Sequence, residues 1–159
     1  MSLKNWDNKT WLSSTKYIKS FNNFLLKQIR LNRHAQILDI GCGRGKILGF
    51  LYSKLRFKNK PVGIDIEIHK DRDKRINFKK IDALSYFSIN KQKFDLILVK
   101  QTIHLLNFNQ IKELLIKMSK NILILQHINI ETPGYILDLM QRDNFNLTTI
   151  ELDEGETIP

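Results

Sequence analysis

The chain has 159 residues, 42% apolar and 26% charged, with a single cysteine. That length can bury one substantial core, and the composition is that of a globular chain rather than a disordered or fibrous one. The lone Cys42 excludes an internal disulfide and any zinc site of four cysteines or of two cysteines and two histidines, so a reducing compartment and no bound metal are expected. The net charge is +10, unevenly spread: residues 1–93 carry 21 basic and 7 acidic side chains, residues 94–159 carry 5 and 9. This basic excess admits two readings. It is either a footprint for nucleic acid or a product of codons rich in A and T, since 22 Ile, 19 Lys and 14 Asn dominate the chain. The start, Met1 to Asp7, lacks a signal peptide's apolar stretch, and no apolar run approaches the ~20 residues that span a bilayer. A cytoplasmic protein without membrane association is the expectation.

In chain order, Tyr17, Ile18, Phe21, Phe24, Leu25 and Ile29 keep helical spacing, with Ser13 or Ser14 available as N-cap. Gln36 to Ile40 predicts a first strand, followed by glycines and a helix through Ile47, Leu48, Leu51 and Leu55. Pro61 to Ile66, Ile76 to Ile81 and Phe94 to Val99 predict the next three strands, the last nearly all apolar, as a strand covered on both faces should be. Asn107 or Asn109 can cap a helix carrying Ile111, Leu114, Leu115 and Met118. Asn121 to His127 predicts a fifth strand, Thr132-Pro133 a helix start, and Phe145 to Leu152 a last extended stretch. Strands alternating with helices imply a doubly wound, mostly parallel α/β sheet, whose ligands sit beyond the carboxyl ends of the strands.

The residues that follow the first strand are Gly41-Cys42-Gly43-Arg44-Gly45-Lys46. Glycines here permit positive φ and let a ligand approach the backbone, although a ligand-free tight turn is also consistent with them. A dinucleotide fingerprint needs glycine at Lys46, and a P-loop needs glycine at Ile40 and Ser or Thr at Ile47. Both fail. Asp65, ending the second strand, has the chemistry to accept two hydrogen bonds from a ribose diol or to cap the loop that follows, with Glu67 as substitute if the register slips.

Ile37 to Gly45 closely resembles the cofactor loop of class I, Rossmann-like S-adenosylmethionine-dependent methyltransferases. Val62 to Ile66, Ile81-Asp82-Ala83 and Phe94 to His104 resemble that family's second, third and fourth motifs, in order, and the likeness covers roughly residues 36–128. The resemblance implies one methyltransferase domain over residues 1–159. Residues 1–35 form its helical lead-in or lid, 36–128 its cofactor-binding core, and 129–159 a carboxyl-terminal helix and edge strand. It implies S-adenosylmethionine as cofactor and S-adenosylhomocysteine as product. Gly41, Cys42, Gly43 and Gly45 would cradle the cofactor, Asp39 order the loop and the methionine end, Asp65 and Ile66 meet the nucleoside, and Asp82 and Ala83 the adenine. Asp82 as a plain N-cap is a compatible alternative.

Transfer from a sulfonium needs mainly alignment and exclusion of water, so few catalytic residues are required. His104 is a candidate general base, or else helix-start packing, and Lys100 should face the pocket, meeting an anionic acceptor or the cofactor carboxylate. The Asn/Asp-Pro-Pro-aromatic motif of base-amine methylation is absent after the fourth strand, and Cys42 is misplaced for attack on a pyrimidine. A small-molecule acceptor is therefore expected. The rivals are RNA, engaged through segments 54–60 and 70–80, and a catalytically inactive, methyltransferase-like accessory protein. The chain has room for a sixth strand but scarcely a seventh, which would have to follow Gly155, come from a partner or be missing through truncation. An open parallel edge offers a route to a homodimer.

Overall fold

The computed structural model describes residues 14–99, 102, 105–117, 121–126, 141–142 and 146–151. The chain divides into two compact units, residues 1–105 and 106–159.

The first unit begins with α1 (Thr15–Gln28), capped by Ser14, whose Oγ accepts from the Tyr17 N–H at 3.2 Å. Its face of Ile18, Phe21, Asn22 and Leu25, at helical spacing, is buried. The helix stops one residue short of Ile29, whose N–H closes the last turn on the Leu25 carbonyl. Strand β1 (Ile37–Ile40) is buried throughout and leads through the glycine turn into α2 (Lys46–Leu55), which buries Ile47, Leu48 and Leu51. Buried Asn22 joins the two helices, its Nδ2 donating to the carbonyls of Ile18 at 2.9 Å and Ile47 at 3.4 Å.

Strands β2 (Val62–Asp65), β3 (Asn77–Lys80) and β4 (Leu96–Val99) complete a parallel sheet in the order β3-β2-β1-β4. The register sets Ile40 opposite Ile64 on one side and Val99 on the other. Because the chain runs outward from β1 to β3 and returns to β4, strand order reverses between β1 and β4, the position at which such sheets bind ligands. On β3, the edge strand of this sheet, Lys79 and Lys80 are exposed, charges that discourage strand pairing. Short α3 (Ala83–Ile89) joins β3 towards β4 and buries Tyr86 and Phe87.

The crossover from β2 to β3 contains no helix. Residues 66–76 run instead along the flank of α2, and polar contacts hold them there. Asp73 is buried beside Gly49, where a β-carbon would stand 2.2 Å from its carboxylate, and it pairs with Arg75 at 2.6 Å. Arg75 in turn donates to Ser53 Oγ at 2.7 Å.

In the second unit, α4 (Phe108–Lys117) opens on a reciprocal capping box. The Gln110 N–H donates to Asn107 Oδ1 at 3.1 Å and the Asn107 N–H to Gln110 Oε1 at 2.9 Å, which settles the cap on Asn107 rather than Asn109. Ile111, Leu114 and Leu115 are buried, as their spacing predicted. Strands β5 (Asn121–Gln126) and β6 (Asn146–Glu151) pair in parallel. The helix expected at Thr132-Pro133, and the residues after Gly155 offered for a seventh strand, lie outside the described residues. No helix among the described residues is long and apolar enough to cross a membrane.

Candidate cofactor-binding site

Gly41, Gly43 and Gly45 adopt φ of 71°, 52° and 67°. The N–H groups of Gly41 and Cys42 both donate to the Ile64 carbonyl, at 2.9 and 3.0 Å, so the turn is hooked onto the end of β2. Two of the glycines are required for different reasons. A β-carbon on Gly41 would stand 1.7 Å from Thr102 Oγ1. At Gly43 nothing lies within 4 Å of that position, and only the left-handed backbone demands glycine, leaving open space over the turn.

Asp65, half-buried at the end of β2, faces this turn. One carboxylate oxygen accepts the Gly43 N–H at 2.7 Å and the other the Glu67 N–H at 2.9 Å. The loop-capping role is thus present, and each oxygen keeps a further lone pair. The register seats Asp65, not Glu67, at the strand end. Glu67 is exposed, 3.6 Å from His69 Nε2. Ile66 and Ile68, immediately beyond, are 66% and 67% exposed, an unusual display of aliphatic surface beside a carboxylate.

Asp39 is buried within β1, and Cys42 packs its Sγ over the backbone of Gly63, where a β-carbon would come within 2.8 Å. Burial, then the charges of Asp39 and Asp65, push the Cys42 thiol up to about 12, so it is protonated at neutral pH and inert as a nucleophile. Asp82 is the N-cap of α3: Oδ1 accepts the Ser85 N–H at 2.9 Å, and hydrogen bonds from Ser85 hold its carboxyl below the usual range. Its neighbour Ala83 is buried. Lys100 and His104 lie outside the described residues. Among the described residues no group of three His, Cys, Asp or Glu side chains is placed to hold a metal.

Two contributors escaped the sequence reading. Thr102, just past β4, donates from Oγ1 to the Ile40 carbonyl at 3.2 Å and so ties the carboxyl end of β4 to that of β1, across the point where strand order reverses. Arg72, read from sequence as part of a basic run, spans the site's floor. Its Nε donates to the Gly43 carbonyl at 3.0 Å, Nη2 to the Glu67 carbonyl at 2.7 Å, and the guanidinium stacks 3.2 Å above the Phe78 ring centre. Arg44 pairs with Asp71 at 2.8 Å, and the Asp73 N–H donates to the Arg44 carbonyl at 2.9 Å. Glycine turn and β2–β3 crossover are therefore bolted together. No simple spacing rule would have singled out Arg72. The only signal was its proximity to Asp71 and Asp73 in a segment without helical periodicity.

A methyltransferase-domain family matches residues 31–150, most of the chain and all of the site just described. The chain belongs to that methyltransferase domain family. No curated protein registers as a match. Among solved structures, the domain is similar to a SAM-dependent methyltransferase from Archaeoglobus fulgidus, at 21% identity and a TM-score of 0.53, over 93% of this chain and 70% of that one. It is also similar to YjhP from E. coli, at 20% identity and a TM-score of 0.50, over 67% of this chain and 45% of that one. The methyltransferase domain thus spans less than half the length of the E. coli protein, and these likenesses bear out the parallel, Rossmann-like α/β fold.

Proposed function

We propose that the domain binds S-adenosylmethionine and transfers its methyl group to a small-molecule acceptor. The single observation that carries this reading is the pairing of an open, left-handed turn at Gly43 with the Asp65 carboxylate facing it. These residues fit the cofactor: a β-carbon at Gly43 would intrude where the structure leaves space, and Asp65 retains acceptor capacity on both oxygens for a vicinal diol. The archaeal neighbour's description as SAM-dependent agrees with it. Exposed Ile66 offers an apolar platform for a purine, Asp82 and the Ala83 backbone its polar edge, and Gly41, Cys42, Gly43, Gly45 and Asp39 the cradle for the methionine portion. The cofactor, when bound, supplies a sulfonium-activated methyl group. The chain contributes alignment, dry walls and, where the acceptor must lose a proton, His104 as base, with Lys100 towards an anionic acceptor.

We infer further that residues 1–159 act as one domain, a reading supported by a family match over residues 31–150 that runs into both compact units, and that it works in the cytoplasm, where a lone cysteine stays reduced. Two copies pairing through a sheet edge would have to use an edge other than β3, whose Lys79 and Lys80 oppose it. Isothermal titration with S-adenosylhomocysteine tests the cofactor reading. Micromolar binding that Asp65→Ala abolishes is expected. A folded protein that binds nothing at millimolar ligand would overturn it. Cofactor binding without methyl incorporation into any metabolite fraction would instead favour the inactive accessory role.

A further inference from the structure

The two ends of the four-stranded sheet differ in charge: cations and carboxylates are mixed at the carboxyl ends of the strands, whereas cations dominate at the amino ends. Of the carboxylates in residues 14–99, Asp65, Glu67, Asp71 and Asp82 follow strands, Asp39 and Asp73 are buried, and Asp95 alone directly precedes one. Cations gather at the amino ends. Loops 29–36 and 56–61, which enter β1 and β2, contain no acidic residue. Backbone contacts bring them together: the Lys58 N–H donates to the Arg33 carbonyl at 2.7 Å, Arg33 Nε to the Arg56 carbonyl at 3.1 Å, and Asn59 Nδ2 to the His34 carbonyl at 3.2 Å. The approach to β3 joins them through Lys60 Nζ, which donates to the Lys74 carbonyl at 3.5 Å. Arg33, Arg56, Lys58, Lys60 and Lys74 are all exposed, and none is ion-paired among the described residues. Of these, Arg33 and Lys60 each spend one donor on a carbonyl, whereas Arg72 and Arg75, counted in the same basic run from sequence, are held by two or more internal bonds each.

We propose that this amino-end face docks the phosphate backbone of a nucleic-acid helix. Five exposed cations without a carboxylate partner among the described residues, on segments tied together by hydrogen bonds, form a field suited to a polyanion. The exposed large apolar side chains, Ile66, Ile68, Ile89, Leu105 and Ile116, lie outside these three segments. These three segments expose no large aliphatic side chain and no Phe, Tyr or Trp among the described residues, which favours contact with a duplex backbone over insertion into a membrane or stacking on unpaired bases. It stands at the opposite end of the strands from the glycine turn. Docking here would tether the protein without presenting a base to the cofactor, and it does not depend on the methyltransferase reading.

Fluorescence anisotropy with labelled duplex RNA and duplex DNA, in separate arms, tests the proposal. Each neutralised phosphate contributes about −0.9 to the logarithmic salt slope, so five contacts predict about a 500-fold loss of affinity between roughly 50 and 200 mM salt. The triple variant Lys58→Glu, Lys60→Glu, Lys74→Glu should bind about 100-fold more weakly at low salt, with the slope reduced by about three. Its melting temperature and S-adenosylhomocysteine affinity should match the parent's. If reversal prevents folding, the Lys→Gln versions, which keep hydrogen-bonding ends, serve instead and should still flatten the slope. Asp65→Ala and saturating S-adenosylhomocysteine should leave duplex binding unchanged. Absence of binding at low salt, equal binding by the triple or Lys→Gln variants, competition by S-adenosylhomocysteine, or binding to anionic vesicles in place of duplexes would overturn the proposal. The parent failing to bind S-adenosylhomocysteine while still binding duplexes would sink the cofactor reading and leave this one standing.

Discussion

Two crossovers lie side by side on the sheet and are held by different physics. The connection from β1 to β2 is helical, and its central residues Leu48 and Leu51 are wholly buried. The connection from β2 to β3 has no helix and is fastened by Arg72, by Arg44 with Asp71, and by Asp73 with Arg75. Apolar burial is non-directional and forgiving of detail, whereas a fork of hydrogen bonds fixes atoms in place. The glycine turn opens the first crossover, is hooked onto the end of β2 and is braced by the second. Loop geometry near the site should therefore be more sensitive to polar substitutions than total stability is.

The largest expected effect tests the helical crossover. Leu48→Ala should cost about 2–5 kcal/mol, measured by urea unfolding, because its site is closed on all sides. On the other crossover, Arg72→Ala should cost about 1–3 kcal/mol in the same assay, from two carbonyls losing a charged donor. Arg72→Lys separates position from stability: it keeps the charge and loses the fork, so S-adenosylhomocysteine should bind about tenfold more weakly with most of the stability retained. Equal losses in both measurements would show that Arg72 acts on stability alone.

Acid titration reaches the same crossover more gently. The bond from Arg75 holds the Asp73 carboxyl below its usual value, so the stabilisation is fully present above the ordinary carboxylate pKa of about 3.9 and is lost as pH falls through the lower folded value. Asp73→Asn should be less stable than the parent at neutral pH and lose less stability on acidification in that window. The smallest effect sits where the crossovers touch. Gly49→Ala adds helix propensity worth about 1 kcal/mol but drives a methyl into the Asp73 carboxylate. It should destabilise the parent and stabilise the Asp73→Ala background, a sign reversal that a double-mutant cycle reads directly.

These contrasts also explain what could be read in advance. Apolar periodicity marked α1, α2 and α4, and short β-branched or apolar runs marked β1, β2 and β4 to within a residue or two. The turn glycines and Asp65 were legible because their chemistry is local: positive φ follows from residue type, and a carboxylate ending a strand next to that turn has few places to go. Arg72, Asp73 and Thr102 were not legible as site or scaffold residues. Each acts through a partner fixed by tertiary structure, Gly43, Gly49 and Ile40 respectively, and no repeat along the chain encodes such pairings. The basic run divides for the same reason. Lys74 projects to solvent, while neighbouring Arg72 and Arg75 are engaged by carbonyl and carboxylate acceptors.

The only sulfhydryl in the chain lies under the glycine turn, against the backbone of β2, in its least reactive protonation state. Alkylation by a small maleimide should therefore proceed only when the turn lifts away from the strand beneath it, which makes the labelling rate a clock for that opening. Timed by mass spectrometry, with no engineered tag, that clock should run faster in any variant that loosens the Arg72 fork and slower in the presence of whatever occupies the turn.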